Sequence, residues 1–117
     1  MEFTSVEGVV PFDLLLERSD RSLVEFEMDL YWVVHGGRDP IDYLTRHPGR
    51  FSLVHVKDAT AAPALSMVDV GQGTIDFKKI FAFDAKGRGG AHVKHFFVEH
   101  DQPADPIRSI KSSFDYL

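Results

Sequence analysis

The sequence predicts an α/β domain in which parallel strands alternate with helices. Three runs rich in β-branched and aromatic residues are typical of buried strands, at residues 23–29, 51–58 and 92–99. The segments between them carry helix-start signals or apolar residues at helical spacing. Each run also ends in a polar side chain that could bind a metal, and parallel sheets and barrels keep their chemistry at the carboxyl ends of strands.

The bulk composition is that of one domain, residues 1–117, with a mass of 13.2 kDa and 44% hydrophobic residues. A net charge of −5 without any basic run argues against nucleic-acid binding. The absence of cysteine excludes disulfides and thiolate metal sites. No apolar run approaches the roughly 20 residues of a membrane span, and no signal peptide is visible. We therefore expect no membrane partner and a cytoplasmic location, unless an upstream half carries an export signal.

The first half of the chain is predicted to begin with the tail of a strand in residues 1–10, followed by a short helix over residues 11–18. After the first full strand, residues 31–37 are predicted to form a glycine-containing loop. Asp39 and Pro40 are a helix cap and a first helical residue, so a helix leads from them towards the central strand.

The second half is predicted to begin with a long irregular stretch, residues 59–73. Thr74 is suited to cap a helix over residues 75–86. Asp105 and Pro106 start a terminal helix, whose apolar residues recur at helical spacing: Ile107, Ile110, Phe114 and Leu117. Three strands and a stub are too few for a closed eight-stranded barrel, so the chain has the content of about half of one.

Asp29, His55 and Glu99 close the three strands and form a mixed carboxylate and imidazole set. Such a set suits Mn²⁺, Zn²⁺, Co²⁺ or Mg²⁺. Each residue alone has an ordinary explanation, since a strand-terminal aspartate often caps a loop and a lone histidine is usually hydrogen-bonded in the core. Lys57 shares a face with His55 and either binds an anionic oxygen or is a solvated lysine at the rim. Glu27 shares a face with Asp29 and is a candidate supporting carboxylate.

Two further features have two interpretations each. Gly71 and Gly73 either offer backbone amides to a phosphate or form a turn before a helix. Tyr31 and Trp32 either stack on a sugar ring or pack where the strand leaves the core.

Five segments, in this order, carry a family resemblance: residues 26–32, 37–40, 54–58, 70–77 and 97–101. Together they resemble the C-terminal half of the sugar phosphate isomerase/epimerase family, which has a xylose-isomerase-like TIM barrel. That family is similar to inosose dehydratases, tagatose epimerases and, more remotely, endonuclease IV. The resemblance implies that the chain is a C-terminal half barrel with three to four parallel strands.

The resemblance also implies a divalent metal held by Glu2, Asp29, His55 and Glu99. Of the strand that would carry Glu2, only Glu2-Phe3 is present. The implied chemistry is proton abstraction next to a carbonyl through an enediolate, with Glu2 and Glu99 as base and acid. Lys57 would be catalytic or bind substrate, and Trp32 would bind substrate. The epimerase branch has a histidine where this chain has Trp32, so tagatose-type C3 epimerisation is not implied.

The expected function is thus a metal-dependent isomerase or epimerase acting on a sugar or sugar derivative. A dehydratase or lyase of keto-sugars or inososes shares the same first step, and a catalytically inactive half-barrel fragment is a further alternative. A DNA-repair nuclease is disfavoured by the negative charge and by the lack of additional His or Glu ligands. Because open apolar faces and free strand edges drive association, we expect a homo-oligomer.

Overall fold

The computed structural model of the protein describes residues 2–85 and 92–117. Strands and helices alternate along much of the chain, as predicted. In chain order the described elements are α1 (Pro11–Arg18), β1 (Phe26–Asp29), α2 (Leu30–His35), α3 (Pro40–Arg46), β2 (Phe51–Val56), β3 (Asp58–Ala59), β4 (Met67–Val68), α4 (Phe77–Ala85), β5 (His95–Val98) and α5 (Pro106–Tyr116).

A three-stranded parallel sheet in the order β1-β2-β5 forms the centre of the fold. Asp29 of β1 lies opposite His55 of β2, and His55 lies opposite Phe97 of β5. Glu99 follows Phe97 by two residues in the chain. This register brings the carboxyl ends of all three strands to one edge of the sheet. The predicted parallel α/β arrangement is confirmed.

The core packs against one face of this sheet and around the start of its strands. Val54 and Val56 are fully buried on that face. An aromatic cluster at the amino end of the sheet has ring centroids 5.0–6.3 Å apart. Its members are Phe3, Phe12, Phe26, Tyr43 and Phe51. These five aromatic rings therefore stabilise the end of the sheet that lies away from the candidate site.

The two Asp-Pro helix starts are confirmed. The side chain of Asp39 accepts a hydrogen bond from Ile41 N at 2.8 Å, and that of Asp105 accepts one from Arg108 N at 3.1 Å. In both helices the proline occupies the first turn, where its missing N–H costs no hydrogen bond.

The loop predicted for residues 31–37 is wrong, because α2 occupies Leu30–His35. Asp29 Oδ1 accepts a hydrogen bond from Trp32 N at 3.0 Å and caps this helix directly at the end of β1. Gly36 ends the helix, and its amide donates to Trp32 O. A side-chain cap and burial of Leu30 and Val33 thus outweigh the weak helix preference of this aromatic and β-branched segment.

Several predicted boundaries also differ. The first and last strands begin later than residues 23 and 92, at Phe26 and His95. Where a strand tail was predicted, the described residues 2–10 form two turns, the second of which is closed by a Val6–Val9 bridge. Part of the stretch 59–73 forms an antiparallel hairpin, since β3 pairs with β4.

The predicted Thr74 cap is wrong too. Thr74 Oγ1 donates to Ala59 O, while Asp76 accepts from Lys79 N and starts α4 two residues later than predicted. The helix end predicted at residue 86 lies outside the described residues.

Asp58 organises the loop that follows the hairpin. Its buried carboxylate accepts hydrogen bonds from four backbone amides at 2.8–3.2 Å, those of Ala59, Gly71, Gly73 and Ile75. A Cβ on Gly73 would overlap this carboxylate, so the second glycine is required by close approach. Because Asp58 already uses the amides of Gly71 and Gly73, the turn interpretation of this segment is the one that the structure supports.

Helix α5 packs through its small polar residues. Ser109 and Ser113 are buried, and Ser113 Oγ accepts a hydrogen bond from Val70 N at 3.1 Å. The apolar residues that recur at helical spacing form an outer stripe that is 50–78% exposed, namely Ile107, Ile110, Phe114 and Leu117. The helix is therefore attached through hydroxyl groups and presents its hydrophobic face outward.

The near-isosteric substitution Asp58→Asn is expected to lower the free energy of unfolding by about 3 kcal/mol, since an amide nitrogen cannot accept the N–H groups that one carboxylate oxygen now accepts. Urea denaturation measures this change. The matched control is Asp42→Asn on α3, whose exposed pairing with Arg46 at 3.2 Å predicts a change below about 0.5 kcal/mol. Equal destabilisation by the two substitutions would contradict the role given to Asp58.

Candidate metal centre

Asp29, His55 and Glu99 converge at the carboxyl edge of the sheet. One ligand atom from each lies within 4.8 Å of the others, a spacing that a single ion can bridge. His55 Nδ1 is 3.4 Å from Asp29 Oδ2 and 3.4 Å from Glu99 Oε2. The three residues that the sequence placed at strand ends are thus brought together, because parallel strands in register end at the same edge.

The surroundings of His55 suit a metal ligand. Its Nε2 is 3.2 Å from Glu27 Oε1, and a ring N–H donated to a carboxylate fixes the tautomer and the orientation of a ligating histidine. With Nε2 as the donor, the lone pair of Nδ1 points to the space shared with Asp29 and Glu99. Glu27 therefore has the supporting position that the sequence predicted for it.

Asp29 uses its two oxygens for different tasks. Oδ1 caps α2 through Trp32 N, whereas Oδ2 faces His55 and Lys57. The helix cap holds the carboxylate in place, so its second oxygen is directed towards the centre. Capping and ligation are therefore compatible at this residue.

Lys57 is the charged centre of the site, and it is not the solvated rim lysine that was the alternative interpretation. Its side chain is only 6% exposed, and Nζ lies 3.2 Å from Asp29, 2.8 Å from Glu99 and 2.7 Å from Asp101. Burial by itself would lower the pKa of Lys57, but the hydrogen bonds that its ammonium group donates to Asp101, Glu99 and Asp29 outweigh it and raise the pKa above its usual value. The lysine is a cation that balances this acidic edge.

Two further predicted site residues are Glu2 and Trp32. Glu2 is exposed in a turn, and its backbone oxygen accepts from Phe12 N at 3.0 Å. Among the described residues, the group of donors within 4.8 Å contains Asp29, His55 and Glu99 but not Glu2. Trp32 is 39% exposed on α2 and meets the ring of Tyr31 edge-on at 5.0 Å. Tyr31 itself is buried and donates to Leu65 O, which is a packing role.

Asp101 is a site residue that the sequence analysis did not single out. It contacts Lys57 at 2.7 Å. The available signal was its spacing, because a residue two positions after Glu99 shares the same face of an extended segment.

Comparisons with known proteins agree with this fold. No protein-family model matches the chain. The inosose dehydratase of Geobacillus kaustophilus is 33% identical over 68% of this chain, and that of Geobacillus thermodenitrificans is 31% identical over 97% of it. A crystal structure of a sugar phosphate isomerase/epimerase from Parabacteroides distasonis superposes on 98% of the chain with a TM-score of 0.74 and 34% identity. A second such protein from the same organism covers 94% of it with a TM-score of 0.76 and 26% identity.

The chain is similar to the sugar phosphate isomerase/epimerase family over nearly its whole length. It corresponds to part of the xylose-isomerase-like TIM barrel of that family, as the sequence resemblance predicted. The chain spans 31% and 41% of the lengths of the two dehydratases and 38% and 36% of the two crystal structures. Among the described residues, no helix is long and apolar enough to cross a bilayer.

The Lys57→Met substitution is expected to lower the free energy of unfolding by about 3 kcal/mol in EDTA, because three carboxylates then lose their buried cation. Added Mn²⁺ should stabilise this variant more than the wild type, since a metal ion can replace the lost charge. Thermal unfolding with and without Mn²⁺ tests both expectations.

The control for Lys57→Met is Lys111→Met, which removes an exposed lysine paired with Asp115 at 2.6 Å. We expect a change below about 0.5 kcal/mol there. A Lys57→Met protein as stable as the wild type in EDTA would show that Lys57 does not balance the acidic edge.

Proposed function

We propose that this chain carries the metal centre of a sugar isomerase or epimerase that abstracts a proton next to a carbonyl group. The observation that carries the proposal is the convergence of Asp29, His55 and Glu99 at the carboxyl edge of a parallel sheet. The similarity of the chain to this family supports the proposal. The low exposure of the Lys57 side chain beside these residues supports it as well. The substrate class is a small sugar or sugar derivative.

The donor set fits a divalent cation such as Mn²⁺, Zn²⁺, Co²⁺ or Mg²⁺. Asp29, His55 and Glu99 would hold it, and Glu2 is the fourth ligand that the family resemblance implies. When bound, such an ion would polarise a carbonyl and a neighbouring hydroxyl group of the substrate. The residues of the chain then have to orient the sugar and move the proton.

Glu99 is the best placed proton acceptor among the described residues of the centre. Its side chain is 45% exposed, whereas that of Asp29 is 17% exposed, so a substrate can approach it. The proposed pairing of Glu99 with Glu2 as base and acid rests on the family resemblance. A proton taken from the carbon beside the carbonyl leaves an enediolate, whose negative charge a nearby cation stabilises.

Lys57 is the cation that the protein itself supplies. An ammonium group has three N–H donors, and Asp29, Glu99 and Asp101 account for all three. Asp29 Oδ2 and Glu99 Oε2 cannot serve both Lys57 and a metal ion fully. Metal binding would therefore free donors of Lys57 for an anionic substrate oxygen, while Asp101 keeps the side chain in place.

The proposed substrate contact of Trp32 depends on its exposed ring.

A dehydratase or lyase activity is the second candidate, and the specific observation in its favour is the similarity to two inosose dehydratases. β-Elimination begins with the same proton abstraction, so the same residues serve it. Isomerisation, epimerisation and elimination differ in their later steps, and product analysis separates them. A chain that binds metal but turns over no sugar would match the inactive half-barrel alternative.

Isothermal titration calorimetry with Mn²⁺ tests the metal centre. We expect the wild type to bind Mn²⁺ weakly, and His55→Ala to abolish or strongly reduce the binding, because it removes the central ligand. His95→Ala is the matched control, since His95 is an exposed histidine on β5 at the other end of the strand. Equal titration curves for the wild type and His55→Ala would refute the assignment of the site.

We also propose that a second copy of the chain covers its exposed apolar surface. Alternation along the strands predicts from the sequence that Phe51, Leu53, Val93 and Phe97 face the incomplete interior of a half barrel. Phe51 is instead buried against Phe12 and Phe26, whereas Phe97 is 47% exposed. The outer stripe of α5 adds to this surface, and β1 and β5 are the two edge strands of the sheet. Exposed apolar faces next to free strand edges favour association.

Light scattering after gel filtration is expected to give a mass above the 13.2 kDa of one chain. Substituting Ile107 and Phe114 by serine should shift the protein towards the monomer, because these side chains are each 78% exposed in the outer stripe. Lys111→Ser on the same helix should leave the mass unchanged. A monodisperse 13.2 kDa wild type would contradict the proposed association.

A further inference from the structure

The segment from Glu99 to Asp101 sends side chains to opposite sides. Glu99 and Asp101 both reach Lys57 Nζ, at 2.8 and 2.7 Å. His100 points the other way, where its Nδ1 lies 3.1 Å from Asp69 Oδ1 and 3.1 Å from Ser109 Oγ. One imidazole is thus held at the back of the strand end that delivers two acids to the centre.

The contact between His100 and Asp69 involves a charged carboxylate. Its hydrogen bond with Ser109 outweighs the effect of burial and, together with that from His100, lowers the pKa of Asp69. An ionised carboxylate only accepts hydrogen bonds, so His100 Nδ1 must be the donor in this pair. Hydrogen bonds to a charged acceptor are stronger than neutral ones, so the contact can fix the histidine firmly.

The attachment joins three separate parts of the chain. Asp69 directly follows β4, which pairs with β3, and β3 begins one residue after Lys57. Ser109 lies in the first turns of α5. The amide of Asp101 also contacts Met67 Sδ of β4, at 3.2 Å. His100 therefore sits where the hairpin, the end of β5 and α5 meet.

The end of β5 needs such support because β5 is an edge strand. After Val98 its link to the sheet continues with the bond from Glu99 N to Val56 O at 3.1 Å. We propose that His100 is a positioning residue: held by Asp69 and Ser109, it fixes the strand end so that Glu99 and Asp101 reach the metal centre and Lys57. This inference rests on the proposed function in that it assigns Glu99 to the metal centre.

A cavity of about 250 Å³ lies beside the same residues and has Arg108 in its wall. It offers a competing role for the cluster, as a site for a small anion. Asp69 and Asp105 place two carboxylates in that wall, and Asp69 already accepts the available donors of His100 and Ser109. Their negative charge disfavours an anion, so the positioning role is the better supported one.

The test compares His100→Ala with His100→Asn. The amide nitrogen of asparagine occupies roughly the place of Nδ1 and can donate to Asp69, whereas alanine cannot. We expect His100→Ala to raise the dissociation constant for Mn²⁺ about tenfold, at the lower end of the effect of losing an outer-shell partner. His100→Asn should bind close to the wild type, and Asp69→Asn should resemble His100→Ala. Arg108→Ala, which alters the cavity but not the hydrogen-bonded group, should bind as the wild type does.

Hydrogen–deuterium exchange on the metal-free protein gives a readout that is independent of the metal. In His100→Ala the amides of residues 99–101 should exchange faster, while those of β1 and β2 keep their wild-type rates. Faster exchange throughout the sheet in His100→Ala would overturn the proposal, as would Mn²⁺ binding by His100→Asn that is as weak as that of His100→Ala. Either result would mean that His100 is only a packing residue. A wild type that does not bind Mn²⁺ would refute the proposed function, whereas unchanged exchange of residues 99–101 in His100→Ala would refute the positioning role itself.

Discussion

The arrangement of the site depends on one buried lysine. Lys57 is withdrawn from water at the end of β2, and this is favourable only because Asp29, Glu99 and Asp101 surround its ammonium group within 3.2 Å. In return, the lysine allows three carboxylates to gather at one edge of the sheet without an ion. Under the proposed function, the fold would keep a set of acidic ligands assembled before a metal arrives, and the ligands and the lysine would have to separate in part when one binds.

Because side chains alternate in direction along an extended chain, the two residues that follow β2 point to opposite faces of the sheet. Lys57 turns to the open face and balances the acids, while Asp58 turns to the buried side and ties down the loop through the amides of Gly71, Gly73 and Ile75. That loop in turn carries Val70, which bonds to Ser113 of α5. Two neighbouring residues, Lys57 and Asp58, thus balance the charge of the candidate site on one face and anchor the surrounding loops on the other.

The sequence predicted what depends on local signals and on strand ends. The central strand and the Asp-Pro helix starts follow from residues that are neighbours in sequence. The meeting of Asp29, His55 and Glu99 follows from their common position at parallel strand ends, although their role as ligands stays a proposal.

The features that the sequence missed depend on distant partners. Helix α2 forms because Asp29 caps it, and the same aspartate had been interpreted as a ligand at the entrance of a loop. Asp58 accepts hydrogen bonds from the backbone amide of Ala59 beside it and from three amides that lie 13–17 residues further along the chain. The inward face of α5 is polar because it meets Asp69 and Val70 N, which no periodicity of apolar residues can indicate.

The edge formed by Asp29, His55 and Glu99 is proposed to bind a divalent metal. Anomalous diffraction at the manganese absorption edge, from crystals grown with Mn²⁺, tests this proposal. We expect one anomalous peak at bonding distance, within about 2.3 Å, of His55 Nδ1 and of oxygens of Asp29 and Glu99, with Lys57 still held by Asp101. A peak elsewhere, or none while Lys57 keeps all three carboxylates, would contradict the assignment of this edge as a metal centre.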